Sequence, residues 1–136
     1  MNRGVLEPSD LRDGMPFART IGVEITAASP ERVTGRLAWA PELATAGGVL
    51  HGGALMALAD ALGAVCAFLN LPEGAQTSTI ESKTNFFRAV REGDVEAAAQ
   101  PLHVGRSTIV VQTDTRDAEG RRVALTTQTQ AVIAAP

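Results

Sequence analysis

The sequence predicts an α+β domain in which an antiparallel sheet wraps around one long central helix, and three observations predict it. Residues 54–69 (ALMALADALGAVCAFL) are apolar throughout except for a single charge, Asp60. The stretch from there to residue 133 is broken into extended segments by Glu92-Gly93-Asp94, Gly105 and Asp117-Ala118-Glu119-Gly120, turn chemistry that separates antiparallel neighbours. Two shorter alternating segments precede the helix. A helix that is apolar on every side must be covered by a sheet or by a second subunit, so the same pattern predicts an oligomer.

Near the N-terminus, Pro8, Gly14 and Pro16 flank Ser9-Asp10-Leu11-Arg12, which reads as one or two helical turns inside a short segment, residues 1–17, that forms a lid or edge element. Residues 23–25 and 33–39 alternate apolar or small side chains with Glu24, Thr34 and Arg36, predicting two strands joined near Ser29-Pro30. Pro41, Gly47, Gly48, Gly52 and Gly53 make residues 41–53 a loop that delivers the chain to a helix at 54–69. Leu71-Pro72-Glu73-Gly74 stops that helix. Four strands follow, at 77–89, 94–104, 107–117 and 121–133. There is no repeat, linker or low-complexity segment, so residues 1–136 read as a single domain, long enough to bury roughly two thirds of its unfolded surface.

A formal charge of −3 and a pI near 5.3 argue against a nucleic-acid partner, which calls for a dense basic face. The basic residues are arginines apart from Lys83, and arginine forks suit phosphate. Cys66 stands alone and reads as packing, since no intramolecular disulfide is open to it. With no secretory pattern at the N-terminus, a cytoplasmic location is the expectation. The apolar run falls short of the ~20 residues that cross a bilayer and has Asp60 near its middle, so no membrane is expected. Only His51 and His103 accompany the one cysteine, without ligand spacing, so no metal is expected. Neither a phosphate loop, a dinucleotide-binding glycine motif nor a Gly-x-Ser-x-Gly nucleophile elbow is present.

Burying an ionised carboxylate without partners costs several kcal/mol or more, so Asp60 is paired, protonated or kept for chemistry. At helical spacing Leu55, Leu58, Leu62, Val65 and Leu69 form one stripe, the core face. The Asp60 face carries Gly53, Met56, Ala57, Gly63, Ala64 and Ala67, small side chains that leave room for a cleft. Gly52 and Gly53 precede the helix, where unpaired N–H groups and the positive end of the helix dipole can hold an oxyanion. Asp60 lies about two turns beyond, ~11 Å at 1.5 Å per residue. That distance favours an acid from a symmetry mate. Two plainer readings stand beside this one: Asp60 paired with an arginine across an interface, and His51 as a cap that fixes the loop.

So arranged, the chain resembles the hotdog-fold thioesterases of the 4-hydroxybenzoyl-CoA and phenylacetate-degradation (PaaI-like) type. The resemblance spans roughly residues 18–133. It is carried by Gly48-Val49-Leu50-His51-Gly52-Gly53 leading into Leu58-Ala59-Asp60, then Asn85-Phe86-Phe87-Arg88 and Arg91-Glu92-Gly93-Asp94. It implies an acyl-CoA substrate, no cofactor, and a homodimer that joins sheets, often paired into a tetramer, with sites between helices of neighbouring subunits. It implies a catalytic group of Asp60, His51 and Gly52, with Asp60, nine residues after His51, as nucleophile or general base and the Gly52 N–H on the thioester carbonyl. Two positions depart from the family pattern. Thr45 stands where many relatives have Asn or Gln, and Ala64 where several have Ser or Thr, leaving Ser78 or Thr79 to hold water or the carboxylate. Arg88, Arg91 and Arg106 are the forks for coenzyme A phosphates. Met56, Phe68, Phe86 and Phe87 are candidates for the acyl pocket. A non-catalytic acyl-CoA sensor and a dehydratase acting on 3-hydroxyacyl thioesters are the alternative functions.

Overall fold

The computed structural model describes residues 7–136, so residues 1–6 of the expected N-terminal segment lie outside the described residues. The element order is α1 (Pro8–Asp13), α2 (Pro16–Ile21), β1 (Glu24–Ala28), β2 (Val33–Ala38), a 3-10 turn (Pro41–Leu43), α3 (Gly52–Leu69), β3 (Gln76–Phe86), β4 (Asp94–Val104), β5 (Thr108–Arg116) and β6 (Arg122–Ile133). The six strands form one sheet in the order β1-β2-β4-β5-β6-β3, antiparallel at every pairing. It curls around α3, giving the hotdog architecture that the resemblance implies.

The core follows from the alternation of side chains along each strand. Val33 and Leu37 of β2, Val95, Ala97 and Ala99 of β4, Ile109 and Val111 of β5 and Val123 of β6 turn inward onto α3 and are buried. From the helix come Leu55, Leu58, Leu62 and Val65, as the spacing predicts, while Leu69 at the last turn is only partly buried. Each fully buried aliphatic side chain of this size stabilises the fold by about 1.5–3 kcal/mol relative to exposure. Gly35 lets helix and sheet approach closely, because a Cβ there would stand 2.7 Å from the Glu24 carbonyl oxygen and 2.8 Å from Leu62 Cδ2.

Several boundaries differ from the sequence reading, and β1 runs on to Ala28 rather than ending at residue 25. Helix α3 starts at Gly52 rather than Ala54, because His51 caps it and both glycines become its first turn. A second short helix, α2, follows Pro16, whose ring pre-sets the first helical φ. Strand β3 ends at Phe86 rather than residue 89, after which the Phe87 N–H donates to the Val123 carbonyl at 2.7 Å and the Val90 carbonyl accepts from Leu50 N–H at 2.7 Å. The loop into α3 is tied down by the Ala44–Leu50 bridge and by Trp39 Nε1–H donating to the Gly48 carbonyl at 3.0 Å.

Candidate active site

Asp60 sits on the middle turns of α3, half-buried, facing β3 and β6. Its Oδ1 accepts from the Thr79 hydroxyl at 2.8 Å and from Gln128 Nε2 at 3.2 Å. Oδ2 has no protein partner, and no lysine, arginine or histidine pairs with the carboxylate, among the described residues. Within the chain, then, the acid is held by neutral donors on one oxygen, and the other is left open.

Thr79 reaches Asp60 because of a β-bulge. The β3–β6 register pairs Thr79 with Gln130 and Glu81 with Thr129, which leaves Ile80 as an extra residue. The bulge resets the alternation, so Thr77 and Thr79 before it and Ser82, Thr84 and Phe86 after it share the inner face, while Ile80 is 61% exposed. Ser78, one position off Thr79, points to the opposite face. Of the two candidate hydroxyls, therefore, Thr79 reaches the acid and Ser78 does not.

Gln128 and Gln130, fully buried on β6, are site residues that sequence reasoning missed. Gln128 packs against Gly63 so tightly that a Cβ on Gly63 would overlap its amide. Gly63 and Ala67, expected to line an open cleft, are instead buried against the sheet. Gln128 Nε2 also donates to Gln130 Oε1 at 2.9 Å, and Gln130 Nε2 donates to Thr77 Oγ1 at 3.2 Å.

At the helix start, His51 Nδ1 accepts from Gly53 N–H at 2.8 Å, and the His51 carbonyl accepts from Ala54 and Leu55. The imidazole, expected among the catalytic groups, serves as the helix cap. The capped Gly53 amide is thereby occupied, whereas the Gly52 N–H makes no hydrogen bond among the described residues. The Phe86 ring lies over it, 3.1 Å from where a Gly52 Cβ would stand. A free helix N-terminal amide is suited to holding an oxyanion.

The remaining expected residues are spread out. The Thr45 hydroxyl accepts from Gly47 N–H at 3.3 Å within its own turn, with no contact to Asp60. Phe68 lines a groove of about 500 Å³ with Leu11, Met15, Ala64, Val65 and Thr77, two turns past Asp60. Phe86 is at the other end of the helix, with Met56 between them, so one chain does not gather these three into a single pocket. Phe87 is 59% exposed. Arg88 and Arg91 stand beyond the Phe86 end of β3, where Arg91 Nη1–H donates to the Gly47 carbonyl at 3.1 Å. Arg106 lies in the β4–β5 turn, at the opposite end of the sheet, where Thr108 and Ser78 both pair with Ala131. The three arginines therefore do not converge within one chain. Cys66 is buried and free, and burial pushes its thiol up to about 11, so it is packing rather than a nucleophile. No cluster of metal-ligating side chains occurs among the described residues.

Comparison with known proteins bears on the family and the fold. The proofreading thioesterase EntH of Cronobacter sakazakii is 39% identical over 75 residues, a stretch covering 55% of this chain and 55% of EntH. Among solved structures, a thioesterase from Haemophilus influenzae superposes with a TM-score of 0.89 at 29% identity, covering 94% of this chain and 91% of that one. A mutant thioesterase from Pseudomonas aeruginosa gives a TM-score of 0.91 at 25% identity, covering 96% of each chain. Residues 47–124, which run from the capped glycine loop through β3, β4 and β5 into β6, match the model of the thioesterase superfamily, and the chain belongs to that family.

Proposed function

We propose that the protein hydrolyses acyl-CoA thioesters to the free acid and coenzyme A, with Asp60 as the acting carboxylate and the Gly52 amide as the oxyanion site. Family membership supports thioester hydrolysis in general. The observation that carries the finer reading is the half-buried Asp60, held on one oxygen by Thr79 and Gln128 and free on the other, on a helix whose first amide is unpaired.

The Gly52 N–H donates to the thioester carbonyl and stabilises the charge that develops on it. Asp60 Oδ2 either adds to the carbonyl carbon, giving an anhydride that water then opens, or takes a proton from the water that adds. In both routes the tetrahedral oxyanion collapses and expels the coenzyme A thiolate. No cofactor or metal takes part.

One helix separates the two groups by about 12 Å at 1.5 Å per residue, too far for a single carbonyl. A homodimer resolves this. Strand β3 is an eleven-residue sheet edge with Ile80 61% and Phe86 49% exposed, followed directly by Phe87, 59% exposed, the sort of edge that pairs with another chain. Antiparallel pairing of two β3 edges sets the Gly52 end of one helix opposite the partner subunit's Asp60. It also brings the Arg88 and Arg91 end of one chain toward the Arg106 end of the other, where the forks can meet coenzyme A phosphates, and Phe68 and Phe86 from different chains can flank one acyl group. A tetramer of two such dimers in the cytoplasm completes this reading. The dehydratase alternative is disfavoured by the His51 cap, which commits Nδ1 to Gly53.

The test is thiol release by wild type and Asp60→Asn across a panel of aryl and aliphatic acyl-CoAs. Turnover by wild type with a 10²- to 10⁴-fold lower kcat in the near-isosteric variant is expected. Equal rates in the two proteins exclude Asp60. Thermal stabilisation by acyl-CoA without thiol release would instead assign a sensor.

A further inference from the structure

We propose that Thr79, Gln130 and Thr77 form a directed hydrogen-bond relay, steadied by Gln128, that lets Asp60 accept and return a proton during turnover, which makes Gln130 a positioning residue for the acid. The proposal rests on the reading of Asp60 as the acting carboxylate.

Around an ionised Asp60 the protons fall one short. Thr79 Oγ1 lies 2.8 Å from Asp60 Oδ1 and 2.6 Å from Gln130 Oε1, both acceptors, yet a hydroxyl has one proton to donate. While Asp60 is ionised and takes that proton, Thr79 and Gln130 face each other oxygen to oxygen at hydrogen-bond distance with nothing between them. Turning the Gln130 amide alone brings its NH₂ against Gln128 Nε2 at 2.9 Å, two donors. Turning Gln128 alone sets two carbonyl oxygens at that distance. Turning both points the Gln128 oxygen at the carboxylate and leaves the buried NH₂ where Gln128 Oε1 now lacks a partner. Every arrangement around a carboxylate thus keeps one conflict.

A proton on Asp60 removes it. The acid then donates to Thr79 Oγ1, Thr79 donates to Gln130 Oε1, Gln130 Nε2 donates to Thr77 Oγ1 at 3.2 Å, and Thr77 donates to the Ala131 carbonyl at 2.8 Å. Gln128 still donates to both Asp60 Oδ1 and Gln130 Oε1. When Asp60 takes a proton from the attacking water on Oδ2, a half-turn of the carboxyl group carries that proton to the oxygen facing Thr79, and the Thr79 hydroxyl rotates from the acid to Gln130. When the proton leaves, both rotate back. The relay is assembled by two sequence features, the Ile80 bulge that turns Thr79 inward and Gly63, which leaves space for Gln128.

Other titratable groups do not supply this role. On α3 the nearest is His51, at the N-cap about two and a half turns away. From α1, Asp10 borders the groove at Ala64 and Thr77. Glu81 and Lys83 of β3 are on its outer face, as are Glu24 and Arg36 of β1 and β2, Glu96 of β4, Asp114 and Arg116 of β5 and Arg122 of β6.

The experiment is a pair of pH titrations on the full protein: the acid limb of kcat with one acyl-CoA, and the ¹³C carboxyl signal of Asp60, assigned by its loss in Asp60→Asn. Wild type, Thr79→Val, Thr79→Ser and Gln130→Leu are compared. In Gln130→Leu the Thr79 proton belongs to the carboxylate alone, so both midpoints move to lower pH than wild type by about half to one unit. In Thr79→Val the carboxylate loses its hydroxyl donor, and both move to higher pH; Thr79→Ser returns them. Opposite shifts from two neighbouring substitutions are not what a merely structural role produces. Midpoints unchanged in Gln130→Leu, or moved upward, overturn the relay. If the carboxyl signal shifts as stated while wild type releases no thiol, the relay stands and the thioesterase reading fails. Thiol release that depends on Asp60 but is indifferent to Gln130 gives the converse.

Discussion

Two walls of one sheet close on the same helix and are built from opposite materials. The wall from β2, β4 and the start of β5 presents Val33, Leu37, Val95, Ala97, Ala99, Ile109 and Val111, all buried and all hydrocarbon. The wall from β3, β6 and the end of β5 presents Thr77, Thr79, Ser82, Thr84, Thr113, Thr115, Thr126, Gln128 and Gln130. Buried polar groups cost stability unless paired, and here the pairing is incomplete: Ser82 Oγ, the Thr113 and Thr115 hydroxyls and Gln128 Oε1 have no partner among the described residues. The difference shows how this fold divides its labour. One wall holds α3 in place, and the other holds the acid on α3 ready.

One substitution on each side separates what the two walls do for the helix. Leu58→Ala, at a fully buried position, is expected to lower unfolding stability by about 2–5 kcal/mol in denaturant titration while the surviving native protein keeps its kcat. Gln128→Leu removes a half-satisfied amide, so its stability should change by less than about 1 kcal/mol in either direction while kcat falls. A large kcat loss in Leu58→Ala with little loss in Gln128→Leu would erase the distinction.

A finer pair uses the two glycines that let the helix approach each wall. Gly35→Ala drives a Cβ into Leu62 and the Glu24 carbonyl and should cost about 1–3 kcal/mol with catalysis spared. Gly63→Ala gains up to about 1 kcal/mol of helix propensity but collides with the Gln128 amide that donates to Asp60. Its signature is therefore a reduced kcat larger than its stability change implies. Thermal melts and steady-state kinetics on both variants read the contrast directly.

The same two walls explain what was legible in the sequence. The hydrocarbon wall and the helix announce themselves, since Leu55, Leu58, Leu62 and Val65 repeat at helical spacing and Gly93 and Gly105 bracket β4 at the expected residues. Asp60 stands out as the lone charge in that run. The polar wall does not announce itself, because in Thr126-Thr127-Gln128-Thr129-Gln130 both faces of β6 are polar and a period of two carries no sign of which face is buried. The bulge at Ile80 is equally silent in sequence, yet it is what separates Thr79 from Ser78. Neither Arg106 nor Phe68 could be placed relative to Arg88 or Phe86 without knowing the strand order.

A smaller effect belongs to the cap that connects the walls to the oxyanion amide. His51→Ala removes the acceptor for Gly53 N–H and should destabilise by about 1 kcal/mol, the usual cost of losing an N-cap side chain. His51→Asn, which can cap in the same way, should recover most of it. Recovery of stability together with activity would show that the imidazole serves α3 and its first turn rather than proton transfer.

The smallest effect lies on the outer face of the sheet, where neither wall is involved. Burial works to raise the Asp114 carboxyl, but hydrogen bonds from Arg122 and Arg116 outweigh it and hold the group below the ordinary aspartate range. A carboxylate lowered in the folded state binds protons more readily once unfolded, so its stabilisation is present above an unfolded value of about 4 and is lost as the pH falls through the folded one. Asp114→Asn should therefore flatten the fall in melting temperature below about pH 4 and leave neutral-pH kinetics as in wild type. Because the pair is partly exposed, salt should shrink the difference between the two proteins. A change in kcat from this substitution would mean that the outer face communicates with the polar wall, through Thr113 and Thr115 on the same strand, and that the inner walls are not the whole of the machinery.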